Sequence, residues 1–366
     1  MWFIRKGNAF LGKMKEKDYL IVGLGLCGAW LAYFLRENGS TVDVYDGQTQ
    51  LSASEVSGGI INPVTGRRVV TTWLADELIP WLSNTMSRIG ISANRKFISP
   101  KTTLSFPGSL QMKLAYEKRV EEENRFISSI SNEEEIMRYF NTTYLPYSIN
   151  STFIVHAKQF ITYVKELLLH NHSFFSKNID ESILELKDEA IVYDSVKYKK
   201  IIYANGYAAM NSIYWKNLPF VPNIGQALIV EIPHLPDTAM YKFGMLTLVP
   251  IDQGMWWVGS SNELRFDNDL PGQAFLSEAV ITLKAILKQP FTIKKHLSAI
   301  RPATVERRPF VGVHPLYKQI AILNGMGSKG CSLAPWFAKQ LTHLLKENIP
   351  IDKDADVIRF SKLLMR

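Results

Sequence analysis

Three glycines and one aspartate near the start of the chain have the types and spacing to hold a dinucleotide. Gly23, Gly25 and Gly28 form a G-x-G-x-x-G directly after the apolar run Tyr19 to Val22. The first glycine permits a tight turn, the second lets backbone approach a pyrophosphate, and the third lets a helix pack closely on a strand. The helix starting near Leu26 would aim its free N–H groups and positive dipole end at the phosphates. Asp46 ends the next strand about twenty residues on, where a carboxylate can bind a ribose hydroxyl and argues against a 2′-phosphate. A second glycine cluster, Gly325, Gly327 and Gly330, leads into a helix near Ser332. Its backbone could lie close to a flat ring, and the helix dipole would favour negative charge developing on that ring. Taken alone, that cluster would equally suit a surface turn.

Elements must position these residues. The spacing predicts a helix over 26–38 with Gly39 as its C-cap, and a strand over 40–46. The stretch 51–68 is rich in small and turn-forming residues, and the apolar spacing of 70–89 is helical. Strand and turn are expected at 101–108, a charged helix at 114–136, and an extended start becoming helix at 153–169. A hairpin over 189–206 should feed a buried strand ending in Asn205-Gly206. Further strands are expected at 226–232 and 319–324, and a hairpin around Asp252-Gln253-Gly254. Helices are expected at 270–288, with Pro271 in the first turn, and at 332–347, with Pro335 in the first turn. Nucleotide-type units at both ends, with hairpins between them, imply two interleaved domains.

The composition is that of an ordinary globular chain: 366 residues, 46% hydrophobic and 21% charged. A net charge of +8 permits a polyanionic partner, but the lysines are scattered in no long basic block. Two cysteines, Cys27 and Cys331, argue against a disulfide framework and suit a reducing, cytoplasmic setting. Neither they nor the histidines show metal-ligand spacing, so no metal is expected. The first residues carry positive charge but no apolar core of signal-peptide length. Met14 is an alternative start, and 1–16 reads as a disordered extension. The uncharged run 19–35 is too short for a membrane span and holds the three glycines.

With these motifs in view, the chain resembles the D-amino-acid oxidase / glycine oxidase family of FAD-dependent oxidoreductases. Four segments carry the likeness: GLGLCG with Asp46, SASEVSGGIINP (Ser52 to Pro63), IIYANG (Ile201 to Gly206), and IRPATVERRPFVG (Ile300 to Gly312) joined to NGMGSKGCSLAP (Asn324 to Pro335). The resemblance implies an α/β (α+β overall) fold. A Rossmann-like FAD-binding domain, from 17–90, 151–215 and 301–352, is interleaved with a smaller substrate domain, from 91–150 and 216–300, built on a mixed or antiparallel sheet. It implies non-covalent FAD, because Cys331 does not match the covalent-flavin cysteine of sarcosine oxidases. The implied cradle is Gly23, Gly25, Leu26, Cys27, Gly28, Asp46, Gly47, Ser52, Ala53, Ser54, Ser57, Gly58, Gly59, Ile60, Ile179, Ala204, Asn205, Gly206, Arg301, Gly325, Gly327, Ser328, Lys329, Gly330 and Cys331.

In this family a small amine loses hydride from its α-carbon to flavin N5, giving an imine that water hydrolyses. The cofactor carries the chemistry, so no dedicated side-chain base is required. Arg301 looks like the arginine that pairs with the substrate carboxylate, a role that suits the guanidinium fork. The second assigned catalytic position is Thr247, where glycine oxidases carry tyrosine and sarcosine oxidases lysine; this departure leaves the substrate and electron acceptor open. Ile61, Tyr241, Met245 and Trp257 are assigned to the substrate pocket. GMGSKGCSLAP also looks like the oxidase half of the enzyme that builds methylaminomethyl-uridine in tRNA, which makes tRNA the less favoured alternative. A non-catalytic flavin-binding module is the alternative of another class.

Overall fold

The computed structural model describes residues 14–47, 50–131 and 133–366. Its first sheet is parallel at its centre, in the order Phe174–Phe175, Val42–Tyr45, Lys15–Val22, Val196–Tyr203, Ile320–Asn324, with Phe310–Val313 added antiparallel at the edge. These strands read as continuous apolar runs because both faces are covered; Leu20, Ile21, Val44, Ile201, Ile202 and Ile322 are fully buried. Helices Leu26–Glu37, Ala157–His170 and Gly330–Glu347 pack together on one face. Trp30 stacks on Phe160 there, ring centroids 4.1 Å apart. The first helix ends one residue before its expected boundary, with Asn38 as C-cap and Gly39 following at φ +74°.

The second sheet runs Thr292–Arg301, Asn223–Glu231, Met255–Gly259, Leu246–Asp252, Ala239–Phe243, Thr102–Phe106, Tyr147–Ile149, Ile127–Ser129. All its pairings are antiparallel except Ala239–Phe243 with Thr102–Phe106. Helix Gln273–Ile286 covers one face through Phe275, Ala279 and Leu283, which pack with Leu228, Val230, Leu248 and Trp256. The opposite face carries Ala227, Met240, Val249 and Trp257 and looks toward Ile60 and Ile154. The chain passes back and forth between the two sheets, so residues far apart in sequence meet where the sheets face each other.

Several expectations are corrected. Residues 15 and 16 are not part of an extension: Lys15 and Glu16 pair with Val196 and Lys197, while residues 1–13 lie outside the described residues. The single charged helix at 114–136 is instead helix Leu110–Glu121, strand Ile127–Ser129 and a short helix Glu133–Met137. Ser109 caps its start, accepting from Met112 N at 3.3 Å. Glu123 at φ +52° and Asn124, whose Oδ1 accepts from Phe126 N at 3.0 Å, turn the chain after it. Helix Gln273–Ile286 begins after Pro271, with Gly272 as N-cap. The last long helix starts at Gly330, which places Pro335 beyond its first turn. Strand Thr292–Arg301 was not foreseen; its KKH segment lacks an apolar period.

Candidate active site

A cavity of about 730 Å³ lies between the two sheets. It gathers segments from the whole chain: Gly23 to Cys27, Asp46 and Gly47, Ser52 to Ile60, Ala204 to Ala208, Gly225 to Ala227, Trp257, Arg301, and the turn from Gly327 to Cys331.

The glycine turn is held by close backbone contact. Gly23 has φ +94°, and a β-carbon there would lie 2.6 Å from Asn205 Cα. One on Gly28 would lie 1.9 Å from the Gly23 carbonyl oxygen, so helix Leu26–Glu37 reaches the strand end only with glycine at that position. Gly28 therefore shapes the turn from behind and does not line the cavity. The helix has no side-chain cap from Gly25 and no acidic residue in its first turn, leaving its positive end toward the cavity. Ser54 is built into this turn, since its Oγ accepts from Leu26 N at 3.0 Å. Ser54 is presented by a short helix, Ala53–Val56, which a capping box starts: Ser52 Oγ accepts from Glu55 N and Ser52 N donates to Glu55 Oε2.

Asp46 lines the cavity just beyond strand Val42–Tyr45, beside Gly47 and Ile179. On another wall the two Asn-Gly steps are tied together, Asn324 Nδ2 donating to the Gly206 carbonyl at 3.0 Å. Asn205 Oδ1 is buried with no hydrogen-bond partner among the described residues, an acceptor that a ligand donor could satisfy. Gly327, Ser328, Gly330 and Cys331 line the cavity where the 3-10 turn Gly327–Lys329 runs into helix Gly330–Glu347. Gly325 does not: its φ is +78°, and a β-carbon there would meet Thr304 Cγ2 at 2.8 Å, so it fixes the turn. Lys329 is also off the lining; burial, then Arg308 and Arg307, push its ammonium below the usual range.

Arg301 lines the cavity at the end of strand Thr292–Arg301. Its Nη1 donates to Asn223 Oδ1 at 2.9 Å and to the Ser261 carbonyl at 3.0 Å. Nε and Nη2 have no hydrogen-bond partner among the described residues. Register explains the position: Arg301 pairs with Asn223 and Ala299 with Gly225, and a β-carbon on Gly225 would lie 1.9 Å from Arg301 Nη2. Burial alone pushes the guanidinium below its usual pKa. Asn223 and Gly225 were missed at the sequence level because the pairing of their strand with Thr292–Arg301 leaves no local signal.

Trp257 walls the cavity, its Nε1 donating to the Val56 carbonyl at 2.8 Å and its ring lying where a β-carbon on Gly58 would sit, within 2.6 Å. The other assigned pocket residues are not there. Tyr241 is on the opposite sheet face, packed on Phe140 and Trp256, with its hydroxyl donating to the Pro236 carbonyl at 2.8 Å. Met245 is in a hairpin turn, 71% exposed. Ile61 packs into the helical core, although its neighbour Ile60 lines the cavity. Thr247 shares the cavity-facing side of the sheet but is one strand beyond Gly259 and does not reach the lining. Both thiols are protonated at neutral pH: burial pushes Cys27 up to about 12 and Cys331 up to about 11.

A family model for FAD dependent oxidoreductases, DAO, matches residues 18–344. The chain belongs to that family. FAD is its cofactor, and this DAO enzyme's glycine turn, its helix N-terminus at the cavity and the Asn205 acceptor left free among the described residues fit such a ligand. Its fold is similar to glycine oxidase from Geobacillus kaustophilus (14% identity, TM-score 0.77, covering 95% of this chain and 98% of that one). It is also similar to glycine oxidase from Bacillus cereus (13%, 0.74, 91% and 96%) and to iminodiacetate oxidase from Chelativorans sp. (16%, 0.74, 92% and 98%). Among the described residues of this DAO chain, no cluster of His, Cys, Asp and Glu could hold a metal, and no helix is long and apolar enough to cross a membrane.

Proposed function

We propose that this oxidoreductase oxidises the C–N bond of a small amine or amino acid that bears a carboxylate. The observation that carries this reading is Arg301: a guanidinium anchored through Nη1, with Nε and Nη2 left to bind a carboxylate edge-on inside the cavity. Names of similar structures, glycine oxidase and iminodiacetate oxidase, are consistent with such a substrate. Bound FAD supplies a hydride acceptor. The chain's residues do the positioning: Arg301 fixes one end of the substrate, Trp257 bounds the space beside it, and Asn223 with Ser261 hold the guanidinium in plane. The substrate carbon loses hydride and its nitrogen a proton, and water converts the imine product to a carbonyl compound and an amine. Cys331 stays a neutral thiol, which supports non-covalent cofactor binding.

Anaerobic addition of glycine, sarcosine, D-amino acids, D-proline or tRNA to the yellow protein tests the reading. Bleaching by a carboxylated small amine, lost in Arg301→Ala, is expected. Bleaching by tRNA alone would replace this reading with the tRNA one, and bleaching by none would reduce the protein to a flavin-binding module.

A further inference from the structure

The sheet face opposite the cavity holds a buried amide beside apolar neighbours. Gly225 and Ala227 line the cavity, so Gln226 between them projects to the face covered by helix Gln273–Ile286. Leu228 and Val230, next on that face, pack into its apolar core, whereas Gln226 is 2% exposed and polar. Burying an amide costs free energy unless its donors and acceptors are used. Those of Gln226 are used on residues 260–272, which join strand Met255–Gly259 to that helix. Its Nε2 donates to Glu263 Oε1 at 2.7 Å, and its Oε1 accepts from Gly272 N at 2.6 Å. The backbone holds the same segment: Gln226 N donates to Ser261 Oγ at 3.0 Å, and Ser261 N to the Gln226 carbonyl at 3.1 Å.

The segment belongs to the site. Ser260 and Asp269 line the cavity, and the Ser261 carbonyl accepts from Arg301 Nη1 at 3.0 Å. Beyond Glu263 the chain runs out to solvent, with Leu264 64% and Leu270 66% exposed. It is tied back where the Asp269 carbonyl accepts from the hydroxyl of Ser298, the residue paired with Gln226 on the neighbouring strand. Backbone bonds between Glu263 and Ile224, at 2.9 and 3.1 Å, also hold the front of this excursion. At its end, Gly272 N has no partner but the glutamine among the described residues. One side chain therefore ties the front of the excursion to its end.

We propose that Gln226 is a positioning residue: it straps residues 260–272 to the second sheet and so holds the Ser261 carbonyl, and through it the Arg301 guanidinium, where a carboxylate binds. This rests on the proposed role of Arg301. The strap itself is read without substrate or turnover, so the two can fail separately.

The experiment compares FAD-loaded wild type, Gln226→Leu, Gln226→Glu and the swap Gln226→Glu with Glu263→Gln. One readout is amide hydrogen exchange of residues 260–272. The other is an acetate titration followed in the flavin difference spectrum, with Arg301→Ala as the control that abolishes binding. In Gln226→Leu the segment should exchange on the order of tenfold faster while the first sheet keeps its protection. Its dissociation constant for acetate should rise roughly threefold to tenfold at full FAD content. Gln226→Glu sets a second carboxylate against Glu263 and should do the same. Adding Glu263→Gln restores a donor and an acceptor between the two positions and keeps an acceptor for Gly272 N, so both readouts should return to within about twofold of wild type. If Gln226→Leu does not fold, Glu263→Ala, at a half-buried position, should show both changes in weaker form. Unchanged exchange in the variants, or faster exchange with unchanged acetate affinity, overturns the positioning role. A wild type that binds no acetate overturns the carboxylate reading of Arg301 and the positioning role with it, while the exchange result still decides whether the strap exists.

Discussion

Gly225 and Arg301 share one volume: a β-carbon on the glycine would lie 1.9 Å from Nη2 and 2.1 Å from Cζ of the arginine across the strand pair. The arginine's place in the cavity is thus set by an absent side chain on the neighbouring strand. Gly225→Ala should push the guanidinium off its seat while leaving the charge in the protein. Loss of one charge-assisted contact is worth about 1.5–3 kcal/mol, so KM for a carboxylated amine should rise roughly tenfold to a hundredfold. The bound FAD spectrum should be unchanged, since Gly225 and Arg301 lie on the second sheet. Steady-state kinetics with the substrate found by bleaching checks it; an unaltered KM would show that Arg301 does not hold the carboxylate.

Gly28 makes the corresponding contact at the other end of the cavity. With 1.9 Å between a new β-carbon and the Gly23 carbonyl oxygen, Gly28→Ala must part helix Leu26–Glu37 from strand Lys15–Val22. Overpacking of this kind costs about 1–3 kcal/mol, and the turn that lines the cavity moves with it. The purified variant should carry sub-stoichiometric FAD and melt lower than wild type. Cofactor content from the absorbance ratio and a melting curve read the two effects separately.

These two glycines also mark what could be read from the sequence. Gly28 is in a local pattern, strand, turn and helix within a dozen residues, and local patterns survive in a string of letters. The same holds for Asp46, the Asn205-Gly206 step and the turn before Gly330. Gly225 is different. Its meaning comes from the register of Asn223–Glu231 against Thr292–Arg301, seventy-odd residues later, and the latter strand has no period-two signal of its own. Tyr241 and Trp257 show the same limit: both are strand aromatics, and only the pairing Tyr241 with Leu248 and Val249 with Trp257 reveals that they point to opposite faces. The charged helix expected at 114–136 failed for another reason, because Glu123 and Asn124 turn the backbone where helix propensity alone would continue it.

Cys331 lines the cavity with its Sγ 3.9 Å from Ser57 Oγ, yet burial holds its pKa up to about 11. The thiol is then a small packing group, and Cys331→Ser should keep full FAD occupancy. Acid precipitation of the wild type should release all of its flavin into the supernatant. Colour retained in the washed pellet would contradict non-covalent binding. Native Cys27 and Cys331 should both resist a disulfide reagent at pH 8 and react fully after unfolding, since the thiolate is the nucleophile.

Stability should fall as the solution is acidified from pH 7 toward 5. Burial lowers the folded-state pKa of His156, His296 and His314 from 6.5, and His156 is also near Lys96. Below 6.5 the unfolded chain binds protons that these folded imidazoles refuse, so the unfolded state gains protons first and stability drops until pH passes the folded values. The depressed carboxylates Asp18 and Asp194 act the same way only further down, below their unfolded value of 3.8, so they do not contribute between pH 7 and 5. His156 is the informative member, since one ring nitrogen is 2.8 Å from Ser99 Oγ, joining the strand Ile98–Pro100 to the start of helix Ala157–His170. His156→Gln keeps a hydrogen-bonding group but no titration. Its melting temperature should therefore fall less steeply between pH 7 and 5 than that of wild type, and parallel slopes would remove His156 from the account.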